Sequence, residues 1–185
     1  MTDIEIVNGC RKVDRRAQRE LYDKFASRLY SIVLRYEPRQ EAAKDVLQDS
    51  FIKAFSSFNQ FEWRGDGSLR AWLEKLTVNM SLNHLREGKK MLYDDLEGLA
   101  AEEIPDPTPD DVVMISQQKL LELIAELPPG YRTIFNLYCI DEYSHKKIAK
   151  MLGINEKSSS SQLFRAKALL AKKVKAYLKE REYEK

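Results

Sequence analysis

Residues 92–111 carry eight carboxylates, no basic side chain and the three prolines Pro105, Pro107 and Pro109. A segment so charged and so poor in periodic apolar positions cannot bury enough surface to offset the entropy of ordering it. No helical or strand period survives from Gly88 to Asp111, so residues 88–111 read as an extended, flexible acidic linker. The 185 residues are thereby cut into two parts, each needing its own core, and 43% apolar residues suffice for two small ones.

The remaining charge is equally uneven. Residues 143–185 hold twelve Lys and Arg against four Asp and Glu, whereas residues 1–91 hold seventeen against thirteen. The net charge of +2 hides a basic C-terminal end, and such asymmetry points to a polyanionic partner for that end. Cys10 and Cys139 match no zinc-ligand spacing, and His84 and His145 are the only imidazoles. Neither a metal nor a cofactor is expected, and both thiols read as structural residues of a reducing cytosol. The chain opens on no secretory signal. Its longest charge-free stretch, residues 76–85, has ten residues, half of the ~20 that a bilayer span requires. A cytoplasmic protein with no insertion into a membrane is expected.

Leu21, Phe25, Leu29, Ile32 and Tyr36 step by four, four, three and four along one helical face. Pro38 ends that helix and opens the next, where Leu47, Phe51, Phe55 and Phe58 repeat the step. After a loop around Trp63, Arg64, Gly65, Asp66 and Gly67, Ser68 is the expected N-cap of a third helix, with Leu69, Trp72, Leu73, Leu76 and Met80 on one side. Beyond the linker, Leu120, Leu123, Ile124 and Leu127 mark a helix ended by Pro128 and Pro129, and Tyr131, Ile134, Phe135 and Tyr138 mark another. With no internal repeat and no alternating segment long enough for a sheet, the expectation is an all-α fold of two small helical domains, residues 1–87 and 112–185.

The most specific local pattern runs from Tyr143 to Asn155. Ser144 can cap a short helix whose Ile148, Ala149 and Leu152 face inward, Gly153 suits the positive φ of a tight turn, and Asn155 can cap the basic helix that follows. This is the layout of a helix-turn-helix that reads the major groove. On its second helix Leu163, Leu170, Val174 and Tyr177 form the inward stripe. Ser158, Ser160, Ser161, Gln162, Arg165 and Lys167 are left for the outer face. Gln and Arg pair bidentately with adenine and guanine edges, while hydroxyls and Lys, here including Lys146, suit phosphates. His145 has no co-ligands for a metal and fits a phosphate-facing position and a plain surface position equally well.

Residues 127–170, opening Leu127-Pro128-Pro129-Gly130-Tyr131-Arg132, resemble region four of bacterial RNA polymerase sigma factors. The first domain resembles their region two through Asp45-Val46-Leu47-Gln48-Asp49-Ser50-Phe51-Ile52-Lys53-Ala54-Phe55 and through Trp72-Leu73 up to Asn79 and Arg86. The chain has no room for the further regions of primary sigma factors and is similar to the compact extracytoplasmic-function (ECF) type of the sigma-70 family. The resemblance implies a transcription initiation factor, not an enzyme, that joins core RNA polymerase and directs it to promoter DNA, one domain on each of two elements. It further implies an anti-sigma factor as partner.

Carried onto this chain, the resemblance assigns Asp45, Gln48 and Asp49 to core polymerase. Asp45 and Asp49 stand one i, i+4 step apart with Gln48 on the same face, a compact acceptor patch for basic side chains. It assigns the loop of Trp63 and Arg64, with Asn79 and Asn83, to an unpaired base of the minus-ten element. Stacking and amide hydrogen bonds suit that task, although Trp63 fits a core or loop-packing role equally well, and Trp72 fits such a role better than a base-binding one. The linker fits both a mimic of a phosphate backbone and an entropic spacer. One departure is visible: Lys157 to Gln162 is almost wholly polar, so Ser159 stands where the family often packs a small apolar residue. A conventional helix-turn-helix regulator would explain residues 120–178 but not the Asp45, Gln48, Asp49 patch. A nuclease would need clustered metal ligands or a nucleophile with its base.

Overall fold

The computed structural model describes residues 1–88 and 115–183, which form two compact helical units. All of the expected linker except Gly88 lies outside the described residues. No strand occurs among the described residues, so the all-α expectation holds.

The first unit holds α1 (Asp3–Arg11), α2 (Arg15–Tyr36), α3 (Gln40–Ser57) and α4 (Ser68–Glu87), with a 3-10 turn at Phe58–Gln60. A capping box opens α1, in which Thr2 and Glu5 satisfy each other's backbone amides. Asp14 caps α2 through the amide of Arg16. The core fills with Leu21, Phe25, Leu29 and Tyr36 of α2, Val46, Leu47 and Phe51 of α3, and Leu69, Leu73, Leu82 and Leu85 of α4. Met80 and Leu76 lie half-buried, and small Thr77 and Ser81 are buried instead. Buried Glu37 ties the end of α2 to α4: its carboxylate accepts from Arg39 Nε at 2.9 Å and stands 3.5 Å from His84 Nε2.

Ser68 does not cap α4. Gly67 takes the N-cap position in the left-handed region (φ 83°), and the Ser68 hydroxyl turns back into the loop, donating to Gly65 O at 2.7 Å and accepting from Arg64 N at 3.3 Å. The hydroxyl therefore fixes the loop rather than the helix end.

The second unit holds α5 (Gln117–Ala125), α6 (Pro129–Phe135), α7 (His145–Leu152) and α8 (Glu156–Tyr183). Leu123, Ile124 and Leu127 pack on Leu170 and Val174 of α8. Arg132 of α6 is buried, and its Nη1 donates to Ala125 O and Leu127 O, both at 2.8 Å, closing the C-terminal end of α5 with a cation. After Phe135 the chain continues as a wide π turn, Asn136–Ile140. The wider turn shifts the register by a residue, so Leu137 is fully buried and Tyr138, expected to face inward, lies 38% exposed.

Candidate functional site

In α3 the residues Ala43, Val46, Leu47 and Ser50 are buried, which leaves Asp45, Gln48 and Asp49 exposed together on the opposite face. None of the three takes part in an ion pair among the described residues. Lys44, their basic neighbour, is engaged by Glu41 at 2.8 Å. The face is thus an open row of acceptors. It continues into Ile52, 57% exposed, and into Tyr22 of α2, whose ring lies 4.8 Å from that of Phe51.

The loop between α3 and α4 walls a pocket of about 550 Å³ lined by Phe61, Glu62, Arg64, Ser68, Trp72 and Lys75 among others. Phe61 and Trp72 form its aromatic side and buried Phe58 packs behind them, the Trp72 ring centroid lying 5.1 Å from that of Phe58 and 4.9 Å from that of Phe61. Arg64 reaches the pocket, where Glu62 Oε2 accepts from its Nη2 at 3.0 Å. Trp63 is half-buried and stands outside the lining. Asn79 and Asn83 are exposed on α4 and follow Lys75 at successive four-residue steps, so one polar stripe runs from the pocket along the helix. Arg86 closes it, donating from Nη1 to Asn83 Oδ1 at 3.4 Å. The aromatic wall at Trp72 escapes sequence reasoning, which reads that residue as core; the closing of Phe58, Phe61 and Trp72 on one another needs three elements at once.

The second unit contains the expected helix-turn-helix. Ser144 accepts from Lys147 N at 3.3 Å, Gly153 turns the chain at φ 69°, and Asn155 Oδ1 accepts from Ser158 N at 2.6 Å. Ile148, Ala149, Leu152, Leu163 and Ala166 close the seam between α7 and α8. Ser160, Ser161 and Lys167 are exposed on α8, with Ser158, Gln162 and Arg165 half-buried beside them. Lys146 is exposed in the first turn of α7.

Ser159, His145 and Phe164 complete this unit. Ser159 is fully buried, and its hydroxyl lies 2.9 Å from His145 Nδ1. The His145 ring is also stacked on Tyr138, centroids 4.4 Å apart at 20°, so His145 is pinned at the joint of the two helices. Phe164 is 65% exposed between Ser160, Ser161 and Lys167 on the outer face of α8. Its place one step off the inward stripe at Leu163 is the sequence signal for it.

Among the described residues no group of three His, Cys, Asp or Glu could hold a metal, and no helix is long and apolar enough to cross a membrane. The helix-turn-helix in one unit is that of a helical DNA-binding protein, and the other unit presents an open acceptor face on α3 and a pocket with an aromatic wall. The family description "Sigma-70 region 2" matches residues 21–91 and "Sigma-70, region 4" matches residues 117–170. The chain belongs to the sigma-70 family and is a sigma factor of the ECF type, a transcription initiation factor.

Curated relatives agree along the whole length. The ECF RNA polymerase sigma-E factor of Salmonella typhimurium strain LT2 is 29% identical over 97% of both chains, and that of Escherichia coli strain K12 is 28% identical over the same shares. The sigma-E factor of Haemophilus influenzae is 26% identical over 94% of this chain and 96% of its own. Among solved structures, one of CnrH in complex with the cytosolic domain of CnrY covers 94% of this chain and 97% of that one, at 20% identity and a TM-score of 0.49.

Proposed function

We propose that the chain acts in the cytoplasm and divides promoter recognition between its two units, residues 1–87 and 112–185, with residues 88–111 as the acidic connection. Asp45, Gln48 and Asp49 form the docking face for core RNA polymerase. The observation that carries this reading is their joint exposure on one side of α3, without an ion pair of their own among the described residues, in a chain whose other unit is a helix-turn-helix. Carboxylates presented in this way accept charge-assisted hydrogen bonds from Arg and Lys on a partner.

In this reading the pocket beside Arg64 takes one unpaired base of the minus-ten element, and the stripe through Asn79 and Asn83 follows the same strand. Trp63, half-buried beside the pocket, flanks the strand rather than walling the base. In the other unit α8 enters the major groove of the minus-thirty-five element. Gln162 and Arg165 read base edges, Phe164 touches a thymine methyl, and Ser158, Ser160, Ser161, Lys167, Lys146 and His145 hold phosphates. Control by an anti-sigma factor that covers these surfaces fits the ECF type.

Charge reversal tests the docking face. Asp45→Lys with Asp49→Lys should weaken capture of core polymerase by the full-length protein at least tenfold while its affinity for minus-thirty-five duplex stays unchanged. Normal capture would remove α3 from the interface.

A further inference from the structure

We propose that the corner between α1 and α2 is a phosphate-binding surface, in which Lys12, Arg15, Arg16 and Arg19 hold the backbone of promoter DNA beside the base pocket. The inference rests on the reading of the first unit as the minus-ten domain and adds to it a surface that the pocket and the α4 stripe do not include.

All four cations are exposed within eight consecutive positions, and none of them forms an ion pair among the described residues. Asp14, the carboxylate among them, is spent on capping α2 through Arg16 N at 2.8 Å. Three of the four stand in the first turns of α2, which has no acidic residue in its first turn. Positive charge at the positive end of a helix is unfavourable, the single Asp14 carboxylate at the N-cap offsets only part of it against three arginines, and an anion held between the arginines would lower the remaining cost.

The corner is also rigid. Val13 occupies the left-handed region at φ 58°, unusual for a β-branched residue, and the turn is closed by Asp14 N to Gly9 O and Val13 N to Cys10 O, both 3.0 Å. At Gly9 a Cβ would lie 2.4 Å from Ala17 Cβ, so α1 meets α2 there with only the Ala17 methyl between them. Arg11 anchors the corner to the pocket wall: its Nη2 donates to Phe61 O at 2.6 Å and its Nε to Phe58 O at 3.3 Å. Phe61 lines the pocket, so Arg11 joins the corner directly to the pocket wall, and in this proposal the strand whose base enters the pocket runs its phosphates over Lys12 and the arginines. Guanidinium forks match phosphate geometry bidentately. The partner is nucleic acid rather than polymerase, because the face offered to polymerase on α3 is made of acceptors and calls for a basic surface, which these cations would repel.

Salt dependence of promoter binding decides the matter. Holoenzyme reconstituted with the full chain carrying Arg15→Gln, Arg16→Gln and Arg19→Gln should show a log–log salt slope smaller by about 2 to 3, from ~0.7 per charge on a single strand to ~0.9 on duplex. The wild type's advantage then shrinks about 20- to 40-fold between 50 and 200 mM salt. Arginine-to-lysine replacements at the same positions should keep most of the slope, and affinity for core polymerase should not change. Should the triple variant fail to fold, the single replacements decide, each lowering the slope by about 0.7 to 0.9. Unchanged slopes would overturn the proposal, as would a loss of core affinity, which would assign the cations to the polymerase. If Arg64→Ala opens promoters normally while the slope still falls in the arginine variants, the base pocket fails and the phosphate surface stands.

Discussion

Ser159 shows how a polar residue is accommodated in a seam that it shares with Ile148, Ala149, Leu152, Leu163 and Ala166. Its hydroxyl meets His145 Nδ1 at 2.9 Å, and Tyr138 backs the imidazole, so the polar pair substitutes for an apolar contact. A net hydrogen bond is worth about 0.5–1.5 kcal/mol, and Ser159→Ala should lower the stability of the second unit by that amount in urea unfolding. His145→Ala should lower it further, and the double variant should lose less than the sum of the two, since the partners are coupled. Strict additivity would mean that the contact carries no energy. A different chemistry governs Cys10, whose thiol burial pushes up from 9.0 to about 11. The folded state then keeps its proton where the unfolded chain has lost it, so this contribution is intact below pH 9 and is lost as pH rises from there to about 11. Cys10→Ala should flatten the alkaline fall in stability over that window, and iodoacetamide at pH 8 should label exposed Cys139 while sparing Cys10. Equal labelling of the two would contradict the burial.

At the scale of elements, the parts that are legible in the sequence are those whose ends are set by local chemistry. Ser144, Gly153 and Asn155 specify the two ends of α7 and the start of α8 through one hydroxyl, one left-handed turn and one amide, and all three do so in the structure. Gly153 has nothing within 4 Å of the place a Cβ would occupy, so a substitution there meets only the left-handed backbone penalty. Gly153→Ala should therefore cost about 1–2 kcal/mol, and Gly153→Asn less, in thermal unfolding. An alanine variant as stable as wild type would mean that the turn relaxes. Less legible are features that require distant parts to meet. Ser68 has the chemistry of a cap, yet Gly67 at φ 83° takes that position and leaves the hydroxyl to the loop. The π turn after Phe135 has no residue that marks it, and it alone turns Tyr138 out toward His145. The Asp45, Gln48, Asp49 face is legible because an i, i+4 step fixes a shared side, whereas the pocket depends on Phe58, Phe61 and Trp72 closing from three elements.

At the scale of the whole molecule, strand opening separates a sigma factor from other helix-turn-helix proteins, because it requires one surface to hold polymerase while another holds an unpaired base. In the first unit the surfaces proposed for these two tasks lie on different helices, the acceptors on α3 and the polar stripe on α4. Arg64→Ala and Asn79→Ala should thus leave core binding and minus-thirty-five recognition near normal, since neither residue belongs to the α3 face or to α8. Both should lose open complexes. Holding a base out of the duplex opposes a re-pairing that regains a few kcal/mol, and about 1.4 kcal/mol of lost contact is a tenfold loss of the open state. Trp63→Ala distinguishes two ways in which the strand is held. With Trp72 rather than Trp63 in the pocket wall, Trp63→Ala should reduce opening less than Arg64→Ala, whereas an equal or larger loss would make Trp63 the stacking platform, at about 1–3 kcal/mol per base. A template premelted across the minus-ten element supplies the unpairing in advance and should partly rescue every variant that acts at this step. Permanganate reactivity of unpaired thymines, on duplex and on premelted templates, measures both quantities in one experiment, and full reactivity of the Arg64 and Asn79 variants on intact duplex would refute the pocket.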